Sequence, residues 1–282
     1  MFPFTVVKYK ISQLFLLCKF LLTIFCKKDI LFDELILGVS KYGKRINNKQ
    51  NIMRRKINPL LQNLTIIYHI VIFLPLGIIV TIVCCGLTVI ILPFFGNTHW
   101  SNIPAIIWAR TLCTLSLVRV KVHGKENIDS KGSYIFVANH QSIYDIPLVY
   151  GWLNNNFKWI MKKELRRLPF IGKTCEIMGH IFIDRSNPLR AKQSLDIAKQ
   201  KLKQGNSSIF LFPEGTRTRN GQLLHFKRGA FTIARDLHLP IVPVTINGAF
   251  DAIPKGLNYI TPGTIEMIIH SPIDTTNLND EN

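Results

Sequence analysis

The chain has 282 residues, 48% of them hydrophobic and 18% charged, with a positive mean hydropathy of +0.20. Lys and Arg outnumber Asp and Glu by 35 to 17, a formal charge of +18, which points to a polyanionic partner, either nucleic acid or an anionic lipid surface. The six cysteines (Cys18, Cys26, Cys84, Cys85, Cys113 and Cys175) show no paired metal spacing and read as reduced core or membrane residues.

Residues 1–40 are apolar with scattered lysines, and no Ala-x-Ala cleavage site follows, so they read as a basic membrane-surface segment rather than a secretory signal. Seven basic residues and no acid follow over 41–56, a pattern that stays cytoplasmic and binds anionic headgroups. From Ile57 to Ala109 there is no Asp, Glu, Lys or Arg. Its core, Leu64 to Phe95, is long enough for one tilted membrane span. Pro75-Leu76-Gly77 permits a second solution, a helical hairpin dipping into one leaflet, which keeps both flanking basic clusters on the cytoplasmic side. The hairpin or monotopic arrangement is the preferred expectation.

Beyond Val118–Val122, an alternating strand, the pattern is that of an α/β domain. Strand-like runs fall at 134–138, 157–161, 180–183, 208–212, 241–246 and 264–269. Helices are expected over 188–203, with Asn187 as N-cap and Gly205 past the end, and over 227–237. The expected architecture is a mixed sheet flanked by helices, preceded by a hydrophobic helical membrane anchor. Its divisions are an extension (1–56), an anchor (57–112), a catalytic domain (113–273) and a polar tail (274–282).

Polar groups gather where these strands end, the place where α/β proteins keep their chemistry. The strand ending at Ala138 runs into Asn139-His140-Gln141-Ser142-Ile143-Tyr144-Asp145. On one continuous helix, residues five apart would point about 140° away from each other. With His140 before a helix and Asp145 in its first turn, the two can meet, and the carboxylate then fixes one imidazole nitrogen while the other takes a proton. Ser142 with Asp145 fits a capping signature, so a helix is expected to open at Ser142; by itself the segment equally suits a capped helix beside an ordinary loop histidine. Further on, Ile181-Phe182-Ile183-Asp184 ends at Arg185, and Ile209–Phe212 ends at Pro213-Glu214-Gly215-Thr216-Arg217. Arg185 and Arg217 suit phosphate through the guanidinium fork, Gly215 allows close backbone approach, and Lys162, Lys227 and Arg228 add charge.

Taken in order, these stations resemble the motifs of the glycerolipid acyltransferase family, in its 1-acyl-sn-glycerol-3-phosphate acyltransferase branch. The Asn-His-x-x-x-x-Asp motif corresponds to Asn139–Asp145, the apolar strand ending in Arg to Ile181–Arg185, the third motif to Phe212–Arg217, and the fourth to Ile241-Val242-Pro243-Val244. Met161–Leu165 and Pro169–Gly172 resemble the segment between the first two, and the likeness covers roughly 60–270. The resemblance implies His140 as general base with Asp145 orienting it. It assigns Asn139, Lys162, Arg185, Glu214, Gly215, Thr216 and Arg217 to substrate binding. It implies lysophosphatidic acid as acceptor, acyl-CoA or acyl carrier protein as thioester donor, no metal and no other cofactor. The expected setting is a membrane rich in anionic lipid, with the catalytic domain on the cytoplasmic face. Alternatives are another lyso-lipid or glycerol 3-phosphate as acceptor, or a non-catalytic lipid-binding relative. A nucleic-acid partner is disfavoured, because no recognised binding motif accompanies the charge.

Overall fold

The computed structural model describes residues 59–96, 98–184, 187, 189–190, 193–196, 199, 207–253 and 260–275. The chain divides into two units, Met1–Arg54 and Arg55–Asn282, and all described residues belong to the second. The segments at 1–56 and the tail beyond Thr275 therefore lie outside the described residues, as does Arg185.

The uncharged stretch is helical. Helix α1 (Pro59–Tyr68) passes through a π-helical turn at His69–Phe73 into α2 (Leu74–Phe95). Asn63–Phe95 is 33 residues long and apolar enough to cross a membrane. Pro75-Leu76-Gly77 does not break it. Pro75 falls in the first turn of α2, where a missing N–H is tolerated, and the π turn just before it absorbs the irregularity. Reversal comes twenty residues later, where Gly96 takes φ +60° and Thr98 caps α3 (His99–Leu115). Contacts then run in descending register: Tyr68 Oη donates to the Leu115 carbonyl (2.8 Å), Gly77 faces Leu112, and Trp108 Nε1 donates to Thr81 Oγ1 (3.0 Å). The two helices form an antiparallel hairpin. Its outer face keeps Ile67, Ile79, Val83, Ile90, Phe94 and Trp100 exposed. Without a charge anywhere on it, that face suits hydrocarbon better than water.

Among the described residues seven strands follow: β1 (Val118–His123), β2 (Ile135–Ala138), β3 (Phe157–Lys162), β4 (Ile181–Ile183), β5 (Ser208–Leu211), β6 (Ile241–Asn247) and β7 (Gly263–Ile269). They form one sheet in the order β1-β7-β6-β2-β5-β3-β4. All neighbours are parallel except β6 and β7. The seven expected strands are all present, to within a residue or so at each end. Helices α4 (Asp145–Trp152), α5 (Ile171–Ile177), α6 (Gly229–Leu237) and the short α7 (Ala249–Ala252) complete the domain. In the 188–203 region the described residues 189–190, 193–196 and 199 are helical, and Asn187 Oδ1 accepts the Leu189 N–H at 2.8 Å as an N-cap does.

Strand periodicity places two cores on opposite faces of the sheet. Phe136, Ala138, Phe210, Trp159 and Val242 join one, with Leu148 and Val149 of α4. Ile135, Val137, Ile209 and Ile241 join the other, against Ala230, Ile233 and Ala234 of α6. Because β2, β3, β4, β5 and β6 run parallel, their carboxyl ends share one edge, and that edge collects Asn139–Asp145 after β2 and Pro213–Arg217 after β5.

Candidate active site

Beyond Ala138 the β2 backbone continues into Asn139, whose amide pairs with the next strand twice. Asn139 Nδ2 donates to the Ile246 carbonyl and the Ile246 N–H donates to Asn139 Oδ1, each at 2.8 Å. This side chain extends the β2–β6 ladder past its last backbone pair, Ala138↔Val244. Asn139 thus braces the sheet beside the site, with one N–H and one oxygen lone pair committed to β6.

The helix after His140 opens at Asp145 rather than at Ser142. Asp145 turns back over the intervening residues, and Oδ2 accepts three N–H bonds: from Gln141 (2.7 Å), from Ser142 (2.9 Å) and from His140 Nδ1 (2.7 Å). Ser142 Oγ is directed elsewhere, donating to the Ile253 carbonyl at 2.9 Å. Asp145 is fully buried, while His140 keeps 17% of its side chain open. A carboxylate can only accept here, so Nδ1 carries the hydrogen and Nε2 presents its lone pair. The imidazole lies flat on Phe212, with ring centroids 3.9 Å apart and planes 9° from parallel.

Glu214 links this motif to the loop after β5. Its Oε1 accepts the His140 N–H at 2.7 Å, and its Oε2 accepts the Leu224 N–H at 2.9 Å. The Thr218 N–H in turn donates to the His140 carbonyl at 3.0 Å. Glu214 is only 4% exposed, and each of its carboxylate oxygens holds a backbone N–H. Gly215 follows in the left-handed region (φ +73°) and its N–H closes a turn on the Phe212 carbonyl at 3.0 Å. A Cβ at Gly215 would come within 3.0 Å of Lys227 Nζ, so the Lys227 side chain lies across this turn. Thr216 is exposed and Arg217 half-buried beside it. Lys227, expected to add charge to this site, thus reaches the turn from twelve positions beyond Gly215.

Lys162 closes β3 opposite Ile183, two residues before Arg185. Nearby, Lys163 Nζ donates to Asp184 Oδ2 at 2.6 Å, and Arg190 approaches the same oxygen at 3.6 Å. The sheet thus brings Asn139, His140, Asp145, Lys162 and the 214–217 loop to one edge.

Two cavities flank that edge. One of about 530 Å³ is lined by Val137, Phe226, Phe231 and Ile241 together with Asn139, Gln141 and Glu214. The other, about 170 Å³ and almost entirely apolar, lies among α2, α3, α4, α5 and β3, lined by Cys84, Trp108, Ile146, Tyr150, Trp159 and Met161. The His140 ring belongs to the second side, because Phe212 beneath it packs on Trp159 (5.6 Å). Tyr150 in that wall is held by a buried histidine. The Trp159 N–H donates to His180 Nδ1 (3.2 Å), so His180 Nε2–H faces the Tyr150 oxygen at 2.6 Å. Burial, helped by the Lys158 charge, lowers the His180 pKa to about 3 and keeps the ring neutral.

This parallel-sheet edge, with a buried carboxylate on a histidine beside a cationic glycine turn, lies within residues 119–247, which match the family described as Acyltransferase. Over 200 residues the chain is 34% identical to the 1-acyl-sn-glycerol-3-phosphate acyltransferase of Limnanthes douglasii, covering 70% of each chain. It is 30% identical to the enzyme of that name from Haemophilus influenzae, covering 73% of this chain and 87% of that one. The crystal structure of the lysophosphatidic acid acyltransferase PlsC from Thermotoga maritima superposes with a TM-score of 0.66 at 30% identity, covering 79% of this chain and 89% of that one. Against the chloroplast relatives of Arabidopsis thaliana and Brassica napus, both 35% identical, the chain spans about half their length. The chain belongs to the 1-acyl-sn-glycerol-3-phosphate acyltransferase family.

Proposed function

We propose that this protein transfers an acyl group from a thioester to the sn-2 hydroxyl of lysophosphatidic acid, making phosphatidic acid at a membrane surface. The observation that carries the proposal is the 2.7 Å bond between His140 Nδ1 and a fully buried Asp145. With Nδ1–H committed to Asp145, Nε2 takes the proton of the acceptor hydroxyl as its oxygen attacks the thioester carbonyl. The new C–O bond forms, the C–S bond breaks, and the imidazolium returns the proton to the leaving thiolate. Asp145 stabilises the imidazolium between these steps without itself being protonated. No protein side chain is acylated.

Arg217 after the Gly215 turn, Lys227 across it and Lys162 at the end of β3, together with Arg185 of the second sequence motif, supply the cations for the acceptor phosphate. The apolar cavity against Trp159 and Met161 offers hydrocarbon surroundings next to the reacting centre. The exposed face of the α1–α3 hairpin is proposed to sit in a leaflet with the catalytic domain on the cytoplasmic side, where anionic headgroups meet the +18 chain.

The testing experiment crosses three acceptors (lysophosphatidic acid, glycerol 3-phosphate and lysophosphatidylcholine) with two donors (acyl-CoA and acyl carrier protein thioester). Phosphatidic acid formed from lysophosphatidic acid in preference to the other products is the expected result. No transfer to lysophosphatidic acid from either donor overturns the assignment.

A further inference from the structure

His140 is held on its edge by Asp145 and on its face by Phe212, whose plane is 9° from that of the imidazole at 3.9 Å. Phe212 is itself fixed from below by Trp159, 3% exposed, and by Phe210, fully buried. The support for the catalytic ring thus reaches down into the sheet core. A neutral imidazole over a benzene face gains an ordinary stacking contact. An imidazolium in the same position gains more, because the negative face of the ring quadrupole attracts the cation, and burial strengthens the attraction. The contact is therefore stronger in the charged state that forms during transfer than in the resting state. An interaction of that kind lowers a barrier rather than merely organising a ground state.

We propose that Phe212 is a positioning residue that tunes His140: its π face locks the imidazole plane and favours the imidazolium formed in transfer. This rests on the general-base role of His140 given above. Among the described residues, the charged and titratable groups on the elements around this stack are Asp145 and Tyr150 of α4, Lys158 and Lys162 of β3, and Glu214, Arg217, Arg219, His225, Lys227 and Arg228 of the loop after β5. A test must leave all of them in place.

Replacing Phe212 in the full-length chain with mono-, tri- and pentafluorophenylalanine does so, since fluorination drains the ring face while nearly keeping its shape. With lysophosphatidic acid and acyl-CoA or acyl carrier protein thioester, kcat is expected to fall stepwise along the series, by about 3- to 10-fold in total, with little change in acceptor KM. Phe212→Leu should lose at least as much, and Phe212→Tyr should restore most of it. A flat kcat series, or a loss that appears in acceptor KM instead, overturns the proposal. His140→Gln separates the two readings: full activity in that variant removes the general base, whereas an inactive His140→Gln beside a flat fluorine series removes only the role of Phe212.

Discussion

Glu214 accepts the backbone N–H of His140, 74 positions earlier in the chain, at 2.7 Å, and holds the Leu224 N–H with its other oxygen. One buried carboxylate thereby ties the catalytic motif to the loop that carries the cationic turn. In Glu214→Gln one of the two N–H groups meets an amide N–H instead of an oxygen. Losing a hydrogen bond to a charged acceptor costs about 1.5–3 kcal/mol. The expected outcome is a lower melting temperature and a kcat reduced by roughly 10-fold or more, with acceptor KM little changed. A rise confined to acceptor KM would instead mean that Glu214 holds the substrate directly.

Asp145→Asn keeps the shape but removes the charge and lets Nδ1 of His140 become the unprotonated nitrogen. By analogy with hydrolase triads, kcat should drop by up to about 10⁴. His140→Ala should abolish transfer while the protein stays in the membrane fraction, because none of the exposed hairpin residues changes. Turnover near that of the unsubstituted protein in either variant removes the proposed pair.

Arg217→Ala should act on the acceptor, raising its KM by about 10-fold or more while donor KM stays put. Gly215→Ala tests the same turn through the backbone. At φ +73° any Cβ is strained by roughly 1 kcal/mol, and the new methyl crowds Lys227. Acceptor KM should rise in that variant as well. An unchanged acceptor KM in both variants would take the phosphate away from this loop.

His180 gives the protein a predictable acid limit. The unfolded chain takes up this proton below about pH 6.5, whereas the folded one resists until about 3, because burial and Lys158 oppose the charge. Between those values the unfolded state binds more protons, so stability falls as pH is lowered. The loss through this window amounts to at most about 5 kcal/mol. Thermal unfolding in detergent should show a melting temperature declining from pH 6.5 downward, and His180→Asn should flatten that decline while starting lower. Identical slopes for the two proteins would contradict the burial of a neutral His180.

What the sequence determined was chemistry and periodicity. Alternation and apolar runs located all seven strands, the absence of charge from Ile57 to Ala109 marked the anchor, and the spacing of His140 and Asp145 allowed them to meet only across a helix start. Such features are local, and local pattern is what a linear chain displays. The tertiary structure alone decided who touches whom over long separations. It put the chain reversal at Gly96–Thr98 instead of Pro75–Gly77, since a π turn can absorb the proline and a left-handed glycine can end a helix. It committed the Asn139 amide to β6 and the Glu214 carboxylate to the His140 backbone, because polar atoms drawn away from water must find partners. It also laid Phe212 under the imidazole, a contact created by neighbouring parallel strands whose sequence positions are more than 70 apart.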